Sequence, residues 1–83
     1  MEKEQILTKV QDVVMECLGP EREEVTMTVR FMEDLGSDSI MLAEIVMKLE
    51  DSFGLRISDE EAGGIRTVGD AVNFIESKLR IAA

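Results

Sequence analysis

Three stretches of this chain repeat apolar residues at three- and four-residue spacing, with glycine-bearing breaks between them, which restricts the fold to short amphipathic helices packed on one another. In the first, Ile6, Val10, Val13, Val14 and Cys17 line one face of a helix from about Glu4 to Leu18, stopped by Gly19-Pro20. The second opens at Gly36-Ser37-Asp38-Ser39, three residues of N-cap type after a glycine, and runs to Phe53-Gly54. At about 100° per residue, Leu42, Ile45, Val46, Leu49 and Phe53 fall together on its core side. The last follows the capping arrangement Thr67-Val68-Gly69-Asp70 and carries its stripe on Val68, Ala71, Val72, Ile75 and Leu79. Between these, Ser58-Asp59-Glu60-Glu61 starts a further helix, which Gly63-Gly64 ends within about a turn.

The predicted fold is therefore all-α: a small four-helix bundle of three main helices and a short third one, with a long first loop over residues 19–37. That loop is too apolar for a solvated linker, because Val25, Met27, Val29, Phe31 and Leu35 all lie in it; it is expected to be pinned onto the core. The alternation of Val25, Met27, Val29 and Phe31 also fits a strand, but the sequence offers no second strand to pair with it. A chain of 83 residues suffices for one core and not for two, so residues 1–83 are read as a single domain. Three Phe are the only aromatics and six Met are present, so the core is expected to be aliphatic, with thioethers filling its gaps.

Charge narrows the choice of partner. Eighteen Asp and Glu against nine Lys and Arg give a net charge of -9, which repels phosphate backbones and anionic headgroups and favours rapid, salt-sensitive encounters with basic protein patches. Nucleic acid and membrane insertion are thereby disfavoured, and a monomer meeting protein partners is expected. Cys17 is the only cysteine, so no disulfide can form within the chain; on the apolar stripe it reads first as a small hydrophobe. The N-terminus lacks a basic region followed by an apolar run, and no apolar stretch approaches spanning length, so the expected location is cytoplasmic.

Catalysis by the chain itself is not expected. Without His or Tyr, and with its lone Cys on a core stripe, it cannot assemble a nucleophile–base pair or a His/Cys metal site. An EF-hand register beginning at Glu33 puts Leu35 at a ligand position and Asp38 where glycine is required, and one beginning at Asp34 ends on Ile45; no metal site is predicted. Two features remain. Asp38-Ser39-Ile40 sits at a helix N-terminus, where free amides and the helix dipole suit a phosphodiester, although a serine there also serves as a plain cap. The outward face of the same helix carries Ile40, Ala43, Glu44, Met47 and Asp51, a mixture that fits either a docking surface for a basic, partly hydrophobic partner or an ordinary solvated face.

The segment Phe31-Met32-Glu33-Asp34-Leu35-Gly36-Ser37-Asp38-Ser39-Ile40 closely resembles the Phe-x-Glu-Asp-Leu-Gly-x-Asp-Ser-Leu segment of bacterial-type acyl carrier proteins. Glu44 to Gly54 looks like that family's recognition helix, and Ile57-Ser58-Asp59-Glu60-Glu61-Ala62 with Ile65 to Val72 resembles its third and fourth helices. The likeness covers nearly everything beyond residue 30, whereas the N-terminal third agrees in helical pattern. It implies 4′-phosphopantetheine joined to Ser39 through a phosphodiester, with Asp38 as the motif's acid, and acyl groups held as thioesters on the arm's thiol. By the same likeness, partners dock on Asp38, Ile40, Met41, Glu44, Met47 and Asp51, with Glu50 nearer the core edge. The implied partners are a phosphopantetheinyl transferase and the acyl-transferring, condensing and modifying enzymes of fatty-acid or related polyketide and specialised lipid synthesis.

Ile40 stands in place of the commoner Leu, Met41 where many fatty-acid carriers have an acid, and Gly63-Gly64 where better helix formers are usual. These departures keep a specialised carrier in view. An aminoacyl or peptidyl carrier, the D-alanyl type included, is one alternative, though the Gly-Gly-His-Ser-like segment common in peptidyl carriers is absent. An unmodified acidic helical adaptor is the other.

Overall fold

In the computed structural model, which describes residues 2–82, four α-helices follow one another: α1 (Lys3–Leu18), α2 (Ser39–Phe53), α3 (Asp59–Ala62) and α4 (Val68–Ala82). No strand occurs among the described residues, so the all-α bundle with a short third helix and a long first loop is the observed architecture. Each helix starts where a side chain can satisfy its free amides. α1 begins with a box in which the Glu2 carboxylate accepts from the Gln5 amide and the Gln5 side chain accepts from Glu2 N–H; it ends at Gly19. α3 uses the expected pair, Ser58 accepting from Glu61 N–H at 3.1 Å while Glu61 accepts from Ser58 N–H at 3.0 Å. At the head of α4, Thr67 accepts from Asp70 N–H at 3.0 Å and Asp70 accepts from Thr67 N–H at 3.1 Å.

The three long helices close one core. α1 contributes Ile6, Val10, Val13 and Val14, α2 Ile45, Val46 and Leu49, and α4 Val68, Ala71, Val72 and Ile75; all are buried. Removing this much aliphatic surface from water, at about 25 cal/mol per Å², is the main force holding α1, α2 and α4 together. Leu42, Phe53 and Leu79, placed by periodicity on the core side, pack against it half-buried at helix ends. Cys17 departs from the expected stripe in the same way: it lies in the last turn of α1 and is only partly covered. Burial pushes its thiol above the ordinary value; the Glu16 and Glu44 carboxylates add to this and Lys48 opposes it, so the thiolate is disfavoured.

Methionine does not fill the interior as expected. The buried core is Val, Ile, Leu and Ala around Phe31; Met15 and Met27 pack on its edge, and Met32 and Met47 face outward. β-Branched and other aliphatic side chains take the interior positions that thioethers were expected to share.

The first loop is pinned to the core as predicted, by Val25 and Phe31, both fully buried. A 3-10 turn over Arg22–Glu24, not foreseen from the sequence, bends it after α1. The alternation noted at 25–31 has a physical partner after all: the segment leading into α4. Phe31 N–H donates to Arg66 O at 3.0 Å, Val68 N–H to Val29 O at 3.0 Å and Gly69 N–H to Met27 O at 2.8 Å, with an antiparallel bridge between Arg30 and Thr67. The pairing is too short to count as a strand, because Val68 already begins a helix.

Candidate functional site at the head of α2

The loop from Arg30 to Asp38 folds back on itself before α2 begins. Asp34 is its clasp: the carboxylate accepts from Arg30 N–H at 2.7 Å and from the Arg30 guanidinium at 3.3 Å, while Glu33 pairs with the same guanidinium at 2.6 Å. The backbone bond first, then the guanidinium, hold the Asp34 carboxyl below the usual carboxylate range, and the two acids raise Arg30 above its own. Gly36 turns the chain at φ +73, in the left-handed region that costs glycine least. Ser37 is buried, donates its amide to Phe31 O at 2.9 Å and its hydroxyl to Asp38 O at 3.0 Å, and so fixes the last residue before the helix.

Of the three cap-type residues, Asp38 takes the position. Its backbone is extended and its carboxylate accepts from Met41 N–H at 2.8 Å. Ser39 is therefore the first residue inside α2, exposed, and the bond that closes the cap is not its own. The reading of Ser39 as a plain cap is thereby removed on geometric grounds. Beside Ser39 a groove of ≈ 320 Å³ runs between α2 and α3, walled by Leu42, Val46, Ile57 and Ala62.

The outward face of α2 is as the periodicity placed it. Ile40 is 74% exposed and Met47 63%, large values for apolar side chains, and Ala43, Glu44 and Asp51 are exposed between and beside them. Met41 differs: it is half-buried and stands at the edge of this face. Glu50 is half-buried too, and its carboxylate is already engaged, accepting from Ile57 N–H at 2.8 Å. Nothing in its sequence neighbourhood signals that contact, which crosses the turn at Gly54. Among the described residues, no group of three His, Cys, Asp or Glu is arranged to hold a metal ion, and no helix is long and apolar enough to cross a membrane.

Comparison with known proteins places the chain in a family. A family model described as a phosphopantetheine attachment site matches residues 5–75. A curated acyl carrier protein of Exiguobacterium sibiricum is 47% identical over 79 residues, covering 95% of this chain and 100% of its own length. The chain belongs to the acyl carrier proteins. A second such protein, from an Exiguobacterium strain, is 51% identical over 79 residues with the same coverage. The solved acyl carrier protein of Enterococcus faecalis superposes with a TM-score of 0.78 at 43% identity, over 93% of this chain and 98% of that one. Acyl carrier proteins are carriers and not enzymes, and phosphopantetheine is their cofactor; when bound, its terminal thiol supplies the thioester that holds the acyl group.

Proposed function

We propose that Ser39 is the attachment point of the 4′-phosphopantetheine arm, and that this carrier uses it to present acyl intermediates to enzymes of fatty-acid or related polyketide and specialised lipid synthesis. The observation that carries the assignment is the cap of α2: Asp38 closes it, which leaves the Ser39 hydroxyl exposed at the first helical position. Residues present there fit the group. The first-turn amides that Asp38 does not use would be free to meet a phosphodiester on Ser39, and the groove of ≈ 320 Å³ alongside offers room for part of the arm. Asp38, Ile40, Glu44, Met47 and Asp51 form the docking face for a phosphopantetheinyl transferase and for acyl-transferring, condensing and modifying enzymes, whose basic patches supply the complementary charge. Residues 1–83 act as one carrier domain, monomeric and cytoplasmic; the net charge of -9 disfavours self-association and contact with anionic lipid or nucleic acid.

Incubation with coenzyme A and a broad-specificity phosphopantetheinyl transferase, followed by intact-protein mass, tests the assignment. The wild type is expected to gain one phosphopantetheinyl group and Ser39→Ala none. A gain in both would move the site elsewhere, and none in either would favour an unmodified adaptor.

A further inference from the structure

Helix α3 stands between two grooves. One lies beside Ser39, and the other, of ≈ 590 Å³, lies beneath the first loop and the head of α4. Leu42, Ala62 and Gly63 line both, so the end of α3 is the partition between them. Yet α3 is four residues long and contributes no fully buried side chain. Its flanks are anchored by Ile57 and Ile65, and two polar ties complete its hold: Glu61 to Lys78 at 3.1 Å on the α4 side, and the Glu50 carboxylate to Ile57 N–H at 2.8 Å on the α2 side. A segment with so few buried contacts opens more readily than the body of a fold. The Glu50 bond is therefore a large part of what keeps the leading edge of α3 against α2.

We infer that Glu50 is a positioning residue for the carrier's cargo: its carboxylate latches the Ile57 amide and holds the start of α3 over the groove beside Ser39, which both residues line. This rests on the reading that the arm, and so the acyl chain, starts at Ser39. With the latch made, a chain lying in the groove is screened by α3; with the acceptor removed, α3 separates from α2 at Ile57 and the thioester is reached by solutes. The role needs an acceptor oxygen at position 50 and not a negative charge, which distinguishes it from docking.

Two measurements test this. In the unmodified protein, amide hydrogen exchange at Ile57 is expected to be about tenfold faster in Glu50→Ala, the factor corresponding to one lost hydrogen bond, and near the wild-type rate in Glu50→Gln, whose amide oxygen still accepts. In protein loaded from octanoyl-coenzyme A by a phosphopantetheinyl transferase, hydroxylamine is expected to cleave the thioester several-fold faster in Glu50→Ala than in the wild type or Glu50→Gln, on the scale of that same lost bond. Val14→Ala, which weakens the core far from α3, controls for general destabilisation. Unchanged exchange at Ile57 in Glu50→Ala, or cleavage there no faster than in Val14→Ala, would overturn the inference. Failure of the wild type to accept the octanoyl arm would instead count against Ser39, and the exchange measurement would still judge Glu50.

Discussion

The amide of Gly69 donates to the carbonyl oxygen of Met27 at 2.8 Å, and a Cβ placed on Gly69 would meet that same oxygen at 2.7 Å. One contact thus explains both the glycine and the seating of the first loop on α4. Gly69→Ala forces backbone away from backbone and loosens the neighbouring bonds from Val68 and Phe31. A loss of roughly 2 kcal/mol is expected, within the range for backbone-strain substitutions. Urea unfolding of the two proteins measures it; a variant as stable as wild type would show that the loop shifts freely.

Gly63 is the opposite case. Its backbone is already right-handed helical, at φ -62 and ψ -21, and an added Cβ finds Glu60 O at 3.4 Å, ordinary contact. Neither strain nor crowding requires glycine there. Gly63→Ala is expected to raise stability by about 0.5–1 kcal/mol by lowering the freedom of the unfolded chain. Thermal unfolding followed by circular dichroism checks the sign.

Such pairs also show where sequence reasoning runs out. The helical stripes were legible because the period of Ile6, Val10 and Val14, or of Val68, Val72 and Ile75, survives any detail of packing. The outward face of α2 followed from the same period. Asp38 and Ser39, by contrast, are both good cap residues, and only the extended backbone at Asp38 decides between them. The partner of the 25–31 alternation was hidden because Ile65, Arg66 and Thr67 show no alternation themselves and run straight into a helix. Glu50 reads as an acid nearer the core edge of α2, but its partner is not legible, since a contact with a backbone amide seven residues onward has no local signature.

The division of labour at the cap predicts two different failures. Asp38→Ala removes the acceptor for Met41 N–H and is expected to cost about 1 kcal/mol, as for other N-caps. Ser39→Ala is expected to unfold within about 0.5 kcal/mol of wild type, since it closes no cap, while losing all loading with phosphopantetheine. Paired urea curves and intact masses separate the two. A large stability loss in Ser39→Ala would restore the plain-cap reading.

Asp34 makes stability depend on pH in a defined direction. Its carboxyl is held below the ordinary value by the Arg30 amide and then the guanidinium, so the folded chain binds that proton less readily than the unfolded one. Its contribution is complete above the unfolded Asp value of about 3.9 and fades as pH falls through the lower folded value. The gap in melting temperature between wild type and Asp34→Asn is therefore expected to be constant near neutrality and to close below about pH 4. A gap that persists unchanged to pH 2 would mean that the ionised carboxylate of Asp34 is not the source of the difference.

Charge and apolar contact on the α2 face separate by their salt dependence. Glu44→Lys reverses one charge among exposed residues far from the core, so the fold is unaffected and only encounters with a basic partner change. Its kcat/KM with a phosphopantetheinyl transferase is expected to fall about tenfold at low salt through slower association. Near 1 M salt, where the screening length is about 3 Å, the deficit should disappear. Met47→Ser, which removes a side chain 63% exposed in the free protein, should instead lose a similar factor at every salt concentration, because what it gives up is apolar surface buried on docking. If Glu44→Lys shows a deficit that salt leaves intact, the acid does more than steer, and direct pairing with a desolvated partner cation becomes the better account.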